Sequence, residues 1–186
     1  MAAVPRKLGL GDSRVALRWR CSVCGEEHEG LPLDWSHDEP FFWEGPRSDN
    51  DFLTSDLCVW TDDEGQPAYF IRGVLHVPVP ALDDTLRYGV WSSLSRESFD
   101  RVHEVWDAPA RVHEPPYFGW LSNRIQGYPE TLGLPCDVIT DSLKLRPRIV
   151  LHDGDHPLIQ EQQDGIDVDR ILELFGPRLH EIALDR

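Results

Sequence analysis

The sequence predicts an α+β fold, an antiparallel sheet covered by a few helices, with a Cys-x-x-Cys-Gly knuckle near the N-terminus. Segments that alternate apolar and polar residues with a period of two follow one another through most of the chain. The clearest helical patterns are one segment inserted among these strands and one near the end. Since strands and helices do not alternate regularly, the pattern does not indicate a parallel sheet.

The composition is that of a folded, acidic chain. Its 186 residues include seven Trp and seven Phe, and 33 acidic against 18 basic side chains give a formal net charge of −15. Such a charge repels phosphate backbones and anionic lipids, and the sequence shows no compensating basic patch. We therefore expect no nucleic acid or membrane partner, and a basic protein is the easier match.

The N-terminus resembles neither a signal peptide nor a membrane anchor. "MAAVPRKLGLGDSR" lacks the apolar core of a signal peptide, and no window approaches the roughly 20 apolar residues of a membrane span. We expect a cytoplasmic protein whose residues 1–14 form a flexible tail and whose residues 15–186 form a single α+β domain.

Several strands are predicted in the first half of the chain. "VALRWR" alternates with period two and leads into the cysteine pair, whereas residues 30–56 read as an ordered long loop. "LCVW" and "AYFIRGVLHVPV" predict a hairpin that turns at Asp63, Glu64 and Gly65. "YGVWSSL" is a further short strand.

Three helices, one short helical turn and one late strand follow. Ser95 is the expected N-cap of a helix with Phe99, Val102 and Trp106 on its apolar face. "GWLSNRI" suggests one short helical turn, and "SLKLRPRIVLHD" predicts a strand. "HPLIQEQQDG" predicts a short helix, and a last helix is expected to start after Asp167 and to stop at Gly176 and Pro177.

The segment "CSVCG" has the spacing of a metal-binding knuckle. Cys-x-x-Cys brings two thiolates within reach of one ion, and the following glycine lets the backbone bend so that amide groups point at sulfur. Two ordinary buried thiols are an alternative. A redox pair is a third, although "GEEHEGLP" is a poor helix start and its acids would raise a thiolate's pKa.

A tetrahedral site needs two further ligands. The sequence offers His28 nearby, His37 in the loop, Cys58 in the next strand and Cys136 far along the chain. The preferred set is Cys21, Cys24, His28 and Cys58. For mixed sulfur and imidazole ligands the expected metal is zinc, in a structural role.

A second polar cluster lies in "LHDGDHPLIQEQ". Its His156, Glu161 and Asp155 are weak candidates for acid–base catalysis or metal binding. The same residues also resemble a helix start, with Asp155 as N-cap and Pro157 as the first helical residue, and this capping account explains more of them. Aromatic residues from Trp91 to Tyr128 could line a groove, but core packing is the better interpretation.

Several stretches together resemble an uncharacterised, mainly bacterial family, the domain-of-unknown-function family 2199. They are "CSVCGEEHEGLP", "DLCVW", "GVWSSLS", "FGWLSN" with "YPETL", "RPRI" and "DHPLIQEQQDGI". The resemblance implies that Cys21, Cys24, His28 and Cys58 belong to one recurring pattern and Cys136 does not. It also places the segment from Asp155 to Gln162 in a recurring pattern. It implies no activity.

Two functional hypotheses follow. The first is a zinc-knuckle-stabilised protein-binding module, immunity-like or an adaptor, whose acidic surface engages a basic partner. It depends on the charge, the compact metal site and the absence of standard catalytic motifs in the sequence. The alternative is a small metal-dependent enzyme that uses the segment from His152 to Glu161 beside an aromatic cleft.

Overall fold

The computed structural model describes residues 18–21 and 23–184. In this part of the chain the helices are α1 (Arg96–Glu104), α2 (Pro157–Asp164) and α3 (Val168–Leu184). The strands are β1 (Arg18–Arg20), β2 (Glu27–Glu29), β3 (Asp34–Ser36), β4 (Phe52–Leu53), β5 (Leu57–Thr61), β6 (Pro67–Val79), β7 (Asp84–Leu94), β8 (Tyr117–Trp120), β9 (Pro135–Ile139) and β10 (Arg148–Leu151). Short 3-10 helices span Pro80–Leu82 and Pro109–His113.

The predicted α+β class is confirmed. Most strand pairs are antiparallel, and the two exceptions are β3 with β7 and β10 with β6. The predicted tail of residues 1–14 lies outside the described residues, and a single domain over residues 15–186 stays a prediction. Within the described ranges, no helix combines the length and apolarity needed to cross a bilayer.

A long hairpin of β6 and β7 forms the centre of the main sheet. Its strands pair in register from Tyr69 opposite Leu94 to Val79 opposite Asp84. The reversal uses the 3-10 turn at Pro80–Leu82 followed by Asp83 in the left-handed region, with φ of 49°. Apolar β-branched residues along β6 supply the buried face that anchors the other strands and the helices.

The main sheet curls until the end of β8 meets β7, and β3 remains at an edge. Its strand order is β3-β7-β6-β10-β9-β8, and β5 joins the N-terminal half of β6. Leu121, just after β8, forms an antiparallel bridge back to Ser92 of β7. Gly119 permits this approach, because a Cβ there would lie 2.1 Å from the Ser93 carbonyl oxygen.

The helices complete the core. Phe99 of α1 packs on Tyr69 of β6, with ring centroids 5.1 Å apart. Leu158 of α2 and Ile171 of α3 are fully buried in the main apolar cluster. Each helix therefore contributes one apolar face to the sheet, as its sequence period requires.

Several predicted elements are confirmed. Ser95 caps α1, since its hydroxyl accepts a hydrogen bond from the Ser98 amide. The β5–β6 hairpin turns at the predicted residues, with Gly65 at φ of 77°. Pro157 is the first residue of α2, as expected.

Other predictions were wrong in detail. The cap of α2 is His156 rather than Asp155, because the His156 Nδ1 accepts from the Leu158 amide. The last helix continues through Gly176 and Pro177 to Leu184. The segment "GWLSNRI" forms no helical turn; its first residues end β8.

The late strand and the long loop also differ from expectation. Of "SLKLRPRIVLHD" only Arg148–Leu151 forms a strand, because residues 143–145 form a bend; the Pro147 carbonyl still accepts from the Val74 amide of β6 at 2.8 Å. The predicted loop of residues 30–56 contains β3 and β4. In that segment Trp35 packs against the core, but Phe41 and Phe42 remain 45% and 43% exposed.

Candidate metal centre

The cysteine pair lies at the turn of a separate two-stranded sheet formed by β1 and β2. In this sheet Trp19 lies opposite His28, with ring centroids 5.1 Å apart. The Trp19 side chain is buried in the main core, and its indole Nε1 donates to the Gly30 carbonyl at 3.0 Å. Trp19 therefore attaches the hairpin, and with it His28, to the body of the protein.

The turn after Cys21 has a knuckle geometry. The Cys21 amide donates to the Glu26 carbonyl at 2.8 Å, and the Gly25 amide donates to the Cys21 carbonyl at 2.9 Å. Gly25 has a φ of 75°, a conformation that other residues rarely adopt. The Val23 amide donates to the Cys21 Sγ at 3.3 Å, as predicted for a backbone that bends toward sulfur.

Three donor atoms converge at this turn. The ligand atoms of Cys21, Cys24 and His28 all lie within 4.8 Å of one another, and among the described residues no other group of His, Cys, Asp or Glu meets this criterion. Cys21 is buried, His28 is half-buried and Cys24 is exposed. The group is therefore open to solvent on the Cys24 side.

The spacing fits a tetrahedral ion. Zinc bonds of about 2.3 Å to sulfur and about 2.0 Å to imidazole nitrogen place these two donors roughly 3.5 Å apart in a tetrahedron. The Cys24 Sγ lies 3.3 Å from the His28 Nε2, which also suits a thiol–imidazole hydrogen bond. Two thiolates and one imidazole form a donor set that suits zinc.

The structure does not bring the predicted fourth ligand to this group. Cys58 is fully buried in a second apolar cluster with Phe70 and Trp91. Burial, followed by the negative charges of Asp51 and Glu39, raises the pKa of the Cys58 thiol to about 12. A buried thiol of this kind stays protonated and is a poor metal ligand.

The two other possible ligands, Cys136 and His37, also lie away from this group. Cys136 is buried beside Ser92, with 3.2 Å between its Sγ and the Ser92 hydroxyl, and burial raises its pKa to about 11. His37 follows β3 and lines a cavity together with Tyr88. The nearby group thus consists of the three donors of the hairpin.

The hairpin does not provide the helix N-terminus that is typical of a redox-active Cys-x-x-Cys pair. A reactive Cys-x-x-Cys pair has its thiol pKa lowered by a helix N-terminus. Here the pair lies between β1 and β2, so no helix begins at Cys24. None of the four cysteines, all of which lie in the described ranges, takes part in a disulfide bond.

The weak catalytic candidates hold the fold together. The Nδ1 of His156 caps α2, and one carboxylate oxygen of Glu161 accepts from the Tyr128 hydroxyl. The other oxygen accepts from Arg170 Nε at 2.8 Å. Asp155 is exposed in the turn before α2. These contacts tie α2 to α3 and to the loop after β8. They use the His156 Nδ1 and both carboxylate oxygens of Glu161, whereas the His156 Nε2 is buried without a hydrogen-bond partner among the described residues.

The aromatic residues form no common groove. Trp91 is fully buried, and Tyr128 is half-buried over Arg170. Phe118 and Trp120 project from β8 and are each 48% exposed. Core packing therefore accounts for Trp91, while Phe118 and Trp120 are surface residues.

The fold and site define a small α+β protein with a Cys/His group on an N-terminal hairpin. A family model described as "Uncharacterized protein conserved in bacteria (DUF2199)" matches residues 20–166. The chain belongs to this family. The matched range contains the hairpin group and the whole main sheet, and it ends before α3. The chain matches no curated protein and no solved structure.

Proposed function

We propose that the protein is a zinc-stabilised binding module. The observation that supports it most is the convergence of Cys21, Cys24 and His28 within 4.8 Å. These donors lie on one hairpin, next to a backbone turn that already directs an amide at the Cys21 sulfur. Such an arrangement needs little rearrangement to accept an ion.

The role proposed for the metal is structural. Strands β1 and β2 have three residues each and form a sheet of their own. A two-stranded hairpin of this size is marginally stable in water. A metal ion that joins the turn to β2 would supply the missing stability, and water can fill a fourth position on the exposed Cys24 side.

The binding role is proposed from charge and exposed aromatics. The net charge of −15 favours a basic partner. Phe118 and Trp120 meet edge to face on β8, with centroids 5.1 Å apart, and each remains half-exposed. Exposed aromatic residues are enriched at the centres of protein interfaces.

Metal analysis with matched variants tests the metal part. We expect about one zinc per chain in protein purified without chelators. Cys24→Ala should lose the metal, and Cys58→Ala should keep it, because Cys58 lies in the separate apolar cluster. A metal-free parent, or equal loss in both variants, would contradict the proposal.

The partner part needs a separate test. Protein immobilised at low salt should capture a basic protein that elutes as salt rises. Trp120→Ala should weaken this capture, whereas Leu145→Ala, at another exposed apolar side chain, should not. Capture that is unchanged both by rising salt and by Trp120→Ala would argue against a basic partner on this face.

A further inference from the structure

A cavity of about 270 Å³ lies between β3, β7, α3 and the loop after β8. Its lining includes Trp35, His37, Tyr88, Arg124, Phe175 and Arg178. We call it the Arg178 pocket. Tyr88 is fully buried at its base, while Arg124 and Arg178 are exposed. The cavity is therefore open to solvent on the arginine side.

The pocket is positively charged in a strongly acidic protein. Arg178 lies 3.4 Å from the Gln126 Oε1 and 5.4 Å from the Trp35 ring centre. Among the described side chains it has no ion-pair partner. Arg124, in contrast, pairs with Glu130 at 2.8 Å. Arg178 therefore lines the cavity with one amide contact and one ring contact among the described side chains.

Neighbouring groups add to this positive potential. Burial, followed by the charges of Arg178 and Arg72, lowers the pKa of His37, while Asp38 acts in the opposite direction. His37 is therefore neutral at neutral pH and offers one donor and one acceptor. Burial is the main cause of the lowered His37 pKa, and the charges of Arg178 and Arg72 add to it.

Arg72 lies behind the pocket and is more than nine-tenths buried. Its Nη2 donates to the Ser36 hydroxyl at 2.5 Å, and Ser36 lines the pocket. The carboxylate of Asp38 lies 3.4 Å from the Arg72 Nη2, and the Asp38 side chain is almost fully exposed to solvent. The Arg72 Nε has no hydrogen-bond partner among the described residues. The Arg72 Nη1 also donates to the Ser55 carbonyl at 3.5 Å, and its guanidinium lies 5.9 Å from the Trp91 ring centre. Arg72 therefore adds a partly compensated positive charge behind the pocket.

The remaining walls are apolar. The Trp35 ring stacks on Phe175 at 4.0 Å, and Tyr88 and Ile125 contribute further apolar surface. Small-molecule sites combine walls of this kind with a few convergent polar groups. One exposed guanidinium beside aromatic walls suits a ligand that carries one negative charge and an apolar part.

We propose that the Arg178 pocket binds a small organic carboxylate. The carboxylate pairs with the Arg178 guanidinium, whose fork matches two carboxylate oxygens, and the apolar part of the ligand lies against Trp35 and Tyr88. Inorganic phosphate fits less well because it would leave the aromatic walls uncovered. The site is separate from the hairpin donors, so it does not depend on the proposed metal.

Calorimetric titration with benzoate tests the proposal. The full-length protein should bind one benzoate per chain with saturation, and benzamide, which has the same ring without the charge, should bind much more weakly. Arg178→Gln should weaken benzoate binding about tenfold or more, since a charge-assisted hydrogen bond is lost. Arg96→Gln, the same change at an exposed arginine of α1 outside the pocket, should bind as the parent does.

Three results would overturn the proposal. The first is the absence of saturable benzoate binding in the parent protein. The second is equal benzoate affinity in the parent and in Arg178→Gln, with both proteins folded by circular dichroism. The third is benzamide binding as tight as benzoate binding, which would show that the pocket does not select for negative charge.

Discussion

The indole ring of Trp35 and the phenyl ring of Phe175 lie parallel, with centroids 4.0 Å apart and an interplanar angle of 2°. This contact joins β3, at one edge of the main sheet, to α3. Phe175 also contacts Tyr88 of β7, with ring centroids 6.1 Å apart. The helix lies beyond the range matched by the family model, yet it supplies part of the core.

Replacing Phe175 with alanine should therefore destabilise the whole protein. The side chain is almost fully buried, and its removal should lower the free energy of unfolding by about 3 to 5 kcal/mol. Glu173→Ala, at an exposed position on the same helix, should cost less than about 1 kcal/mol. Urea unfolding measures both, and equal small losses would show that α3 is not part of the core.

Gly119 should be sensitive to the smallest side chain. A Cβ there would lie 2.1 Å from the Ser93 carbonyl oxygen and would push β8 away from β7. We expect Gly119→Ala to cost about 3 kcal/mol or more. Gly65→Ala, where φ is positive but no atom lies within 4 Å of the new Cβ, should cost only about 1 kcal/mol. Thermal unfolding measures both losses of stability. A larger loss in Gly119→Ala than in Gly65→Ala would show that steric crowding costs more than backbone strain.

Two histidines should make stability depend on pH. Burial, followed by the positive charges of Arg148 and Arg87, lowers the pKa of His76, and His37 has a lowered pKa for similar reasons. The unfolded chain takes up these protons at about pH 6.5 and the folded protein only at lower pH. Their contribution is therefore complete above about pH 6.5 and is lost as the pH falls through the folded-state pKa values.

Urea unfolding at about pH 7.5 and about pH 5 measures this effect. A variant with His37→Gln and His76→Gln should lose less stability between the two pH values than the parent protein. His103→Gln, at an exposed position on α1, is the control and should behave as the parent does. An identical loss in the double variant and the parent would mean that other groups cause the pH dependence.

Metal removal should act locally on the hairpin. Chelation should speed hydrogen exchange of the Cys21 and Gly25 amides, whose bonds close the turn. Amides in the β6–β7 pairing should lose much less protection than the turn amides, since that sheet has its own core. The melting temperature should fall on chelation. Unchanged exchange at the turn would show that no structural metal is bound there.

Local patterns in the sequence were sufficient for part of the fold. The β5–β6 hairpin and the start of α1 follow from turn residues, apolar alternation and one capping serine. Gly25 and the spacing of Cys21, Cys24 and His28 likewise encode the knuckle within a few residues. In these cases the interactions that decide the structure are close in sequence.

Long-range contacts decided the rest. The spacing of Cys58 from Cys24 says nothing about their separation in space, and the β5–β6 register buries Cys58 beside Phe70. The last helix passes through Gly176 and Pro177 despite the cost of proline, because Phe175 and Leu179 on either side are both buried in the core. The Arg178 pocket was missed because its residues come from four distant segments.

The most direct test of the proposed metal centre is X-ray absorption at the zinc edge of the purified protein. We expect two sulfur neighbours at about 2.3 Å and light-atom neighbours at about 2.0 Å that include one imidazole. These would be Cys21, Cys24 and His28. Three or more sulfur neighbours would mean that Cys58 or Cys136 is also a ligand. Bound zinc without sulfur neighbours would mean that the hairpin cysteines are not ligands. Either result would contradict the proposed metal centre.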